Sequence, residues 1–114
     1  MKIKLKQQGD IAIVTLTGEC IEGDHVQVHQ KITESLGNGG RDIVLDCSQL
    51  QSIDSRCLEA LLSLQEEVAD RLGRLVIGDC SEVVDRILYA TRLTSRFDRE
   101  ASIEKALETL GAAA

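Results

Sequence analysis

Two short, wholly apolar runs, Ile43-Val44-Leu45 and Leu75-Val76-Ile77, constrain this chain more than any other feature. A strand with one wet face alternates apolar and polar residues. An unbroken apolar run instead suits a strand covered on both faces, as inside a parallel sheet. Between the two runs lies the strongest helical pattern in the chain. Leu58, Leu61, Leu62, Val68, Ala69 and Leu72 fall at three- and four-residue intervals, and Glu59, Ser63, Glu66, Glu67 and Asp70 fall on the other side. Gly73 closes the pattern. Buried strand, amphipathic helix and buried strand make a crossover unit, which is right-handed.

The flanking segments complete the order. Ile3 and Leu5 alternate with lysines, Gly9-Asp10 is a hairpin-type turn, and Ile11 to Leu16 is a β-branched second strand that Gly18 ends. Asp24 is the expected cap of a helix from about His25 to Leu36, with Val28, Ile32 and Leu36 on one face and Gly37-Asn38-Gly39-Gly40 as its stop. After the second apolar run, Ser81 caps a helix carrying Val84, Ile87 and Leu88. Ser102 to Leu110 forms a last amphipathic helix, and residues 111–114 read as a frayed tail. The order β-β-α-β-α-β-α-α predicts an α/β fold: one domain over residues 1–114, with a mixed sheet, an N-terminal hairpin at one edge and helices packed on it.

Composition narrows the function. The chain carries one Tyr and one Phe, so aliphatic residues fill the core and little aromatic surface remains for stacking on bases. A net charge of -6 repels nucleic-acid backbones and anionic membrane surfaces, so nucleic acid is not expected as a partner. No apolar run is long enough for membrane insertion, and no signal-peptide segment follows the basic, alternating N-terminus. A cytoplasmic protein is expected. Cys20, Cys47, Cys57 and Cys80 form no C-x-x-C pair and read as buried, reduced thiols.

The junction between the first apolar run and the long helix holds the most informative chemistry. Asp54 is placed as the N-cap, accepting free backbone N–H groups of the first turn, and Ser55 follows as the first helical residue with an outward hydroxyl. A phosphate on Ser55 would meet the positive end of the helix and add about 1.5 to 2 negative charges beside Asp54. Capping alone also accounts for both residues. Arg56 either pairs with such a phosphate or is simply solvated.

The segment from Asp42 to Leu62, with its strand, Asp46-Cys47-Ser48 and Ile53-Asp54-Ser55 before an apolar helix, resembles the STAS family, which includes bacterial anti-sigma factor antagonists. Gly18-Glu19, Leu75-Val76-Ile77, Tyr89-Ala90-Thr91-Arg92-Leu93, Phe97 and Ala106-Leu107 extend the resemblance along nearly the whole chain. It implies a non-catalytic regulatory module. Unmodified, such a module binds an anti-sigma factor serine kinase. It is switched off by phosphorylation of Ser55, and a phosphatase restores it. It also implies that Asp46 and Asp54, with Arg56 and Cys57, surround the phosphoacceptor, and that Gly18, Glu19, Ser55, Arg56 and Glu59 face the partner. Cys57 and Arg92 stand where the family usually has glycine. A homodimer is compatible with this reading. The alternative within the family is a constitutive subunit of an ABC lipid transporter or a scaffold in stress signalling.

Other constellations are weaker. His25 and His29 are four apart on a helix but lack a third ligand, so no metal is expected. Gly37-Asn38-Gly39-Gly40 lacks the Lys-Ser/Thr of a phosphate-binding loop, and Cys57 has no evident His base. No catalytic residue and no cofactor is expected. A small enzyme or ligand-binding domain is the third, least supported class.

Overall fold

The computed structural model describes residues 1–111, and the tail expected to fray at 111–114 lies, beyond Gly111, outside them. The alternating N-terminus forms β1 (Lys2–Gln8), which turns at Gly9 and pairs antiparallel with β2 (Ile11–Cys20). The two apolar runs form β3 (Asp42–Ile53) and β4 (Leu75–Gly78). A short β5 (Asp98–Glu100) completes a five-stranded sheet in the order β1-β2-β3-β4-β5, parallel from β2 onward. Four helices connect or follow the strands: α1 (Asp24–Gly37), α2 (Ser55–Asp70), α3 (Glu82–Ala90) and α4 (Ile103–Thr109).

The parallel register explains why the runs Ile43-Val44-Leu45 and Leu75-Val76-Ile77 are wholly apolar. Val14, Leu45 and Ile77 lie side by side, and their face packs against Val28 and Ile32 of α1, Leu61, Leu64 and Val68 of α2 and Leu88 of α3. Their chain neighbours Val44 and Val76 point to the opposite face, where they meet Ile11 and the fully buried Ala106 of α4. Each strand is thus covered twice. Fully burying an aliphatic side chain contributes about 1.5–3 kcal/mol, so the two-sided strands carry much of the driving force. Among the described residues, no helix is long and apolar enough to cross a membrane.

Several details differ from expectation. β2 does not stop at Gly18. It continues to Cys20 through a glycine with φ 98°, with register shifts against β3 on either side of it. β3 runs well past its apolar run, to Ile53, because its polar second half still pairs with β2. β5 was not expected, since three charged residues at a sheet edge carry no periodic signal. The cap of α1 is Gly23 in the left-handed region, not Asp24, whose carboxylate instead accepts the Ile21 N–H at 3.1 Å.

The cysteines also differ. Cys47 and Cys80 are free, but Cys20 and Cys57 are joined in a disulfide, with Cα atoms 6.3 Å apart. The pairing joins residues 37 apart, where the end of β2 meets the start of α2, a proximity that no local pattern encodes. Closing a loop of that length stabilises the fold by roughly 4 kcal/mol in the chain-entropy picture.

The end of α2 shows how a local rule is broken at a cost. Leu72 continues the apolar spacing of α2 but is 90% exposed, because the helix stops at Asp70. The Leu72 N–H donates to the Ala69 carbonyl and the Gly73 N–H to the Val68 carbonyl, a Schellman closure with leucine at φ 65° where glycine is usual. Gly73 is needed for another reason, since a Cβ there would be driven into the Arg41 carbonyl. Next to it, the buried Asp42 accepts from the Arg74 N–H at 2.9 Å and from the Arg41 guanidinium at 2.9 Å. The Arg41 guanidinium pKa is raised by that hydrogen bond. Two substitutions should therefore move urea-unfolding stability in opposite directions. Leu72→Gly relieves the left-handed strain and gains about 1 kcal/mol, whereas Gly73→Ala overpacks the turn and loses about 2 kcal/mol.

Candidate functional site

β2 and β3 end together. Glu19 pairs with Ser52 and Cys20 with Ile53, so the last residues of β2 lie beside the strand that runs directly into Asp54 and Ser55. In parallel α/β sheets, the carboxyl ends of the strands are where ligands and partners are met. Here that edge is built around one residue. Asp54 has extended backbone (φ -89°, ψ 176°), as an N-cap requires, and its Oδ1 accepts the Cys57 N–H at 2.9 Å. Its Oδ2 accepts the Glu22 N–H at 3.2 Å, and its own N–H donates to the Cys20 carbonyl at 3.0 Å. One side chain and one peptide thus tie α2 to the end of β2 and to the loop that enters α1.

Of the residues after Asp54, Ser55 and Arg56 face outward, whereas Cys57 and Leu58 are buried. Ser55 is the first residue of α2 and is exposed, as are Arg56 and, one turn on, Glu59. Glu19 and Glu22 are exposed on the adjoining β2–α1 segment, and Gly18, half-buried with φ 98°, lets that segment bend. Arg56 makes no ion pair with any described residue and lies near the carboxylates of this edge. The 16-residue helix has no acidic residue in its first turn, so the Asp54 cap is the carboxylate at its positive end.

Two residues expected around Ser55 lie elsewhere. Asp46 accepts from the Ser48 N–H at 3.0 Å and the Ser48 hydroxyl at 2.7 Å. It alternates with Leu45 and Cys47, which are buried against α1–α3, so it points to the face on which α4 sits. The structure does not bring it to Ser55. Cys57 is on the first turn but faces inward, 2% exposed and bonded to Cys20. It lies beneath the site and is not part of its surface. The pattern of residues did not single out Glu22 and read Cys20 only as a buried thiol; Gly18-Glu19 marked this segment through the family resemblance alone.

His29 Nε2 lies 3.1 Å from Glu67 Oε1 on α2, so it turns away from His25 toward a neighbouring helix. Among the described residues, no three His, Cys, Asp or Glu side chains gather as a metal site. Arg92 has φ 61° at the end of α3, the left-handed geometry that a glycine would take without strain, and it lines an open hollow of about 550 Å³ with Tyr89, Thr94 and Ser95. Burial pushes the Cys47 thiol far up, and the half-buried Cys80 thiol rises for the same reason, opposed by Arg99.

Comparison with known proteins agrees with this geometry. A family model described as the STAS domain matches residues 2–109. The Thermotoga maritima protein TM1081 superposes with a TM-score of 0.85 at 22% identity, covering 95% of this chain and 93% of its own. The anti-sigma factor antagonist SpoIIAA in its unphosphorylated form gives 0.80 at 18% identity, covering 96% of this chain and 97% of its own. The phosphorylated form of SpoIIAA, a Bacillus cell fate determinant, gives 0.73 at 18% identity, covering 95% and 98%. These likenesses establish the fold.

Two measurements test the local account. Asp54→Ala should lower stability by about 1–2 kcal/mol in urea unfolding, whereas Asp54→Asn, itself a good cap, should lose much less. A raised thiol pKa means less thiolate at a given pH. Alkylation of the native protein at pH 8 should therefore label Cys80 well before Cys47, and both rates should rise with pH.

Proposed function

The chain belongs to the STAS domain family, and on that premise we propose that it is an anti-sigma factor antagonist, a protein-binding module without catalysis of its own. In this reading it acts in the cytoplasm. It binds an anti-sigma factor kinase while Ser55 is unmodified, releases it once Ser55 is phosphorylated, and is reset by a phosphatase. The observation that carries the reading is the position of Ser55: an exposed hydroxyl at the start of α2, next to a cap whose carboxylate already accepts two backbone N–H groups.

The switch follows from electrostatics. A phosphate at Ser55 need not disturb the fold, because Asp54 keeps the cap and the helix end favours an anion. The exposed face changes far more. A dianion joins the carboxylates of Glu19, Glu22, Asp54 and Glu59 beside the Arg56 guanidinium. A partner surface complementary to a neutral hydroxyl and a guanidinium then meets net repulsion, and like-charge contact costs several kcal/mol. Gly18, Glu19, Arg56 and Glu59 form the face around the hydroxyl. The solved pair of SpoIIAA forms supports the scheme, since a protein of this fold is known both with and without phosphate.

The test is phosphorylation itself. Incubation with anti-sigma factor kinases and ATP should add one phosphate to the wild type and none to Ser55→Ala. Ser55→Glu should weaken kinase binding about 100-fold, equivalent to about 2.7 kcal/mol. Equal labelling of Ser55→Ala, or no labelling of the wild type by any such kinase, would overturn the assignment.

A further inference from the structure

Cys20 and Cys57 take no part in the phosphate exchange at Ser55, yet they join the two segments that present it. We propose that this pair is a reversible oxidation site, served by low-molecular-weight thiols and disulfides, that locks the first turn of α2 onto the end of β2 when oxidised. The site stands on geometry alone; only its consequence for Ser55 rests on the phosphoacceptor reading.

Three observations support it. The Cα separation of 6.3 Å is within the span that a disulfide bridges, and the Asp54 hydrogen bonds at the same junction are present together with the bond. The reduced state is equally well provided for. The Cys20 carbonyl oxygen lies 3.1 Å from Cys57 Sγ, so a thiol at position 57 has a buried acceptor waiting. The hydrogen bonds of Asp54 to the Cys57 and Glu22 N–H groups and to the Cys20 carbonyl cross the same junction without involving the sulfurs. The turn that carries Cys57 also carries the exposed Ser55 and Arg56, and the chain after Cys20 runs through the exposed Glu22 and Gly23, both in the left-handed region. Local opening of that turn presents Cys57 without unfolding the sheet.

The chemistry balances as thiol–disulfide exchange. The Cys57 thiolate attacks one sulfur of a small disulfide such as oxidised glutathione. A mixed disulfide forms and one small thiolate leaves. The Cys20 thiolate then attacks Cys57 Sγ, forms the internal bond and expels the second small thiolate. Two protein thiols lose two protons and two electrons, and the small disulfide is reduced to two thiols. A dithiol reverses both steps. Oxidation therefore removes the fraying freedom of the turn that must extend its serine into a kinase, and it should slow phosphorylation of Ser55.

The experiment uses the whole chain. Protein equilibrated with oxidised glutathione, acid-quenched and alkylated in denaturant should show two labelled thiols, Cys47 and Cys80. Protein treated with dithiothreitol under native conditions should show four. By NMR, hydrogen exchange at the Asp54, Cys57 and Leu58 amides should be at least tenfold slower in the oxidised form. Cys20→Ser should exchange at the reduced rate in both buffers, and if that variant does not fold, the two wild-type states still supply the comparison. Four labelled thiols after oxidation, or a bond that native dithiothreitol leaves intact, overturns the site, and equal exchange in both states overturns the lock. None of these readouts involves a kinase, so a failure of Ser55 phosphorylation is told apart from a failure of the redox site.

Discussion

The carboxylate of Asp54 is the point on which the functional end of the molecule depends. A helix start leaves backbone N–H groups without partners, and burying them unpaired is costly. Asp54 answers this for α2 with one oxygen and for the Glu22 peptide with the other, while its own N–H reaches the Cys20 carbonyl. The start of α2 and the chain from the end of β2 into the following loop, distant in sequence, therefore share one residue. Because that residue is spent on structure, the next one is released from it. Ser55 can be chemically altered without the helix losing its cap, which is what a modification switch on a folded surface requires.

The sheet supplies the rigidity behind that arrangement. β3 and β4 are covered by α1–α3 on one face and by α4 on the other, so no polar side chain is tolerated at Val44, Leu45, Val76 or Ile77. The parallel connections place the starts of α2 and α3 at the same end of the sheet. There the Ser81 hydroxyl donates to the Leu50 carbonyl at 2.7 Å and ties the second helix start to β3. A disulfide and a carboxylate then hold the first turn of α2 to a platform that does not move.

Much of the fold was legible before the structure, and the reasons are particular. The helices α1, α2 and α3 and the strands β1 to β4 follow from periodicity, because a buried face imposes its repeat on the residues that form it. β5 was not legible: Asp98, Arg99 and Glu100 carry no apolar pattern, and their strand geometry comes from pairing with β4. The polar half of β3 is strand for the same reason. Leu72 misled because helical spacing does not reveal where a helix stops. At the site, Asp54, Ser55, Arg56 and Glu59 were legible as a cap and an outward face, whereas the place of Asp46 was not. Its direction depends on which face of β3 the helices cover.

By itself the sequence determined the class of fold, the position of the helix mouth and the hydroxyl it offers. These are local matters of periodicity, capping and turn chemistry. The tertiary structure decided which residues share that mouth. It brought Glu19 and Glu22 beside Ser55, sent Asp46 to the far face, and turned two thiols that read as inert into a covalent bridge beneath the first turn. The physical reason is that contacts between residues 20 and 57 are made by strand register and helix docking, and these are set by the packing of the whole core and by no stretch of chain within it.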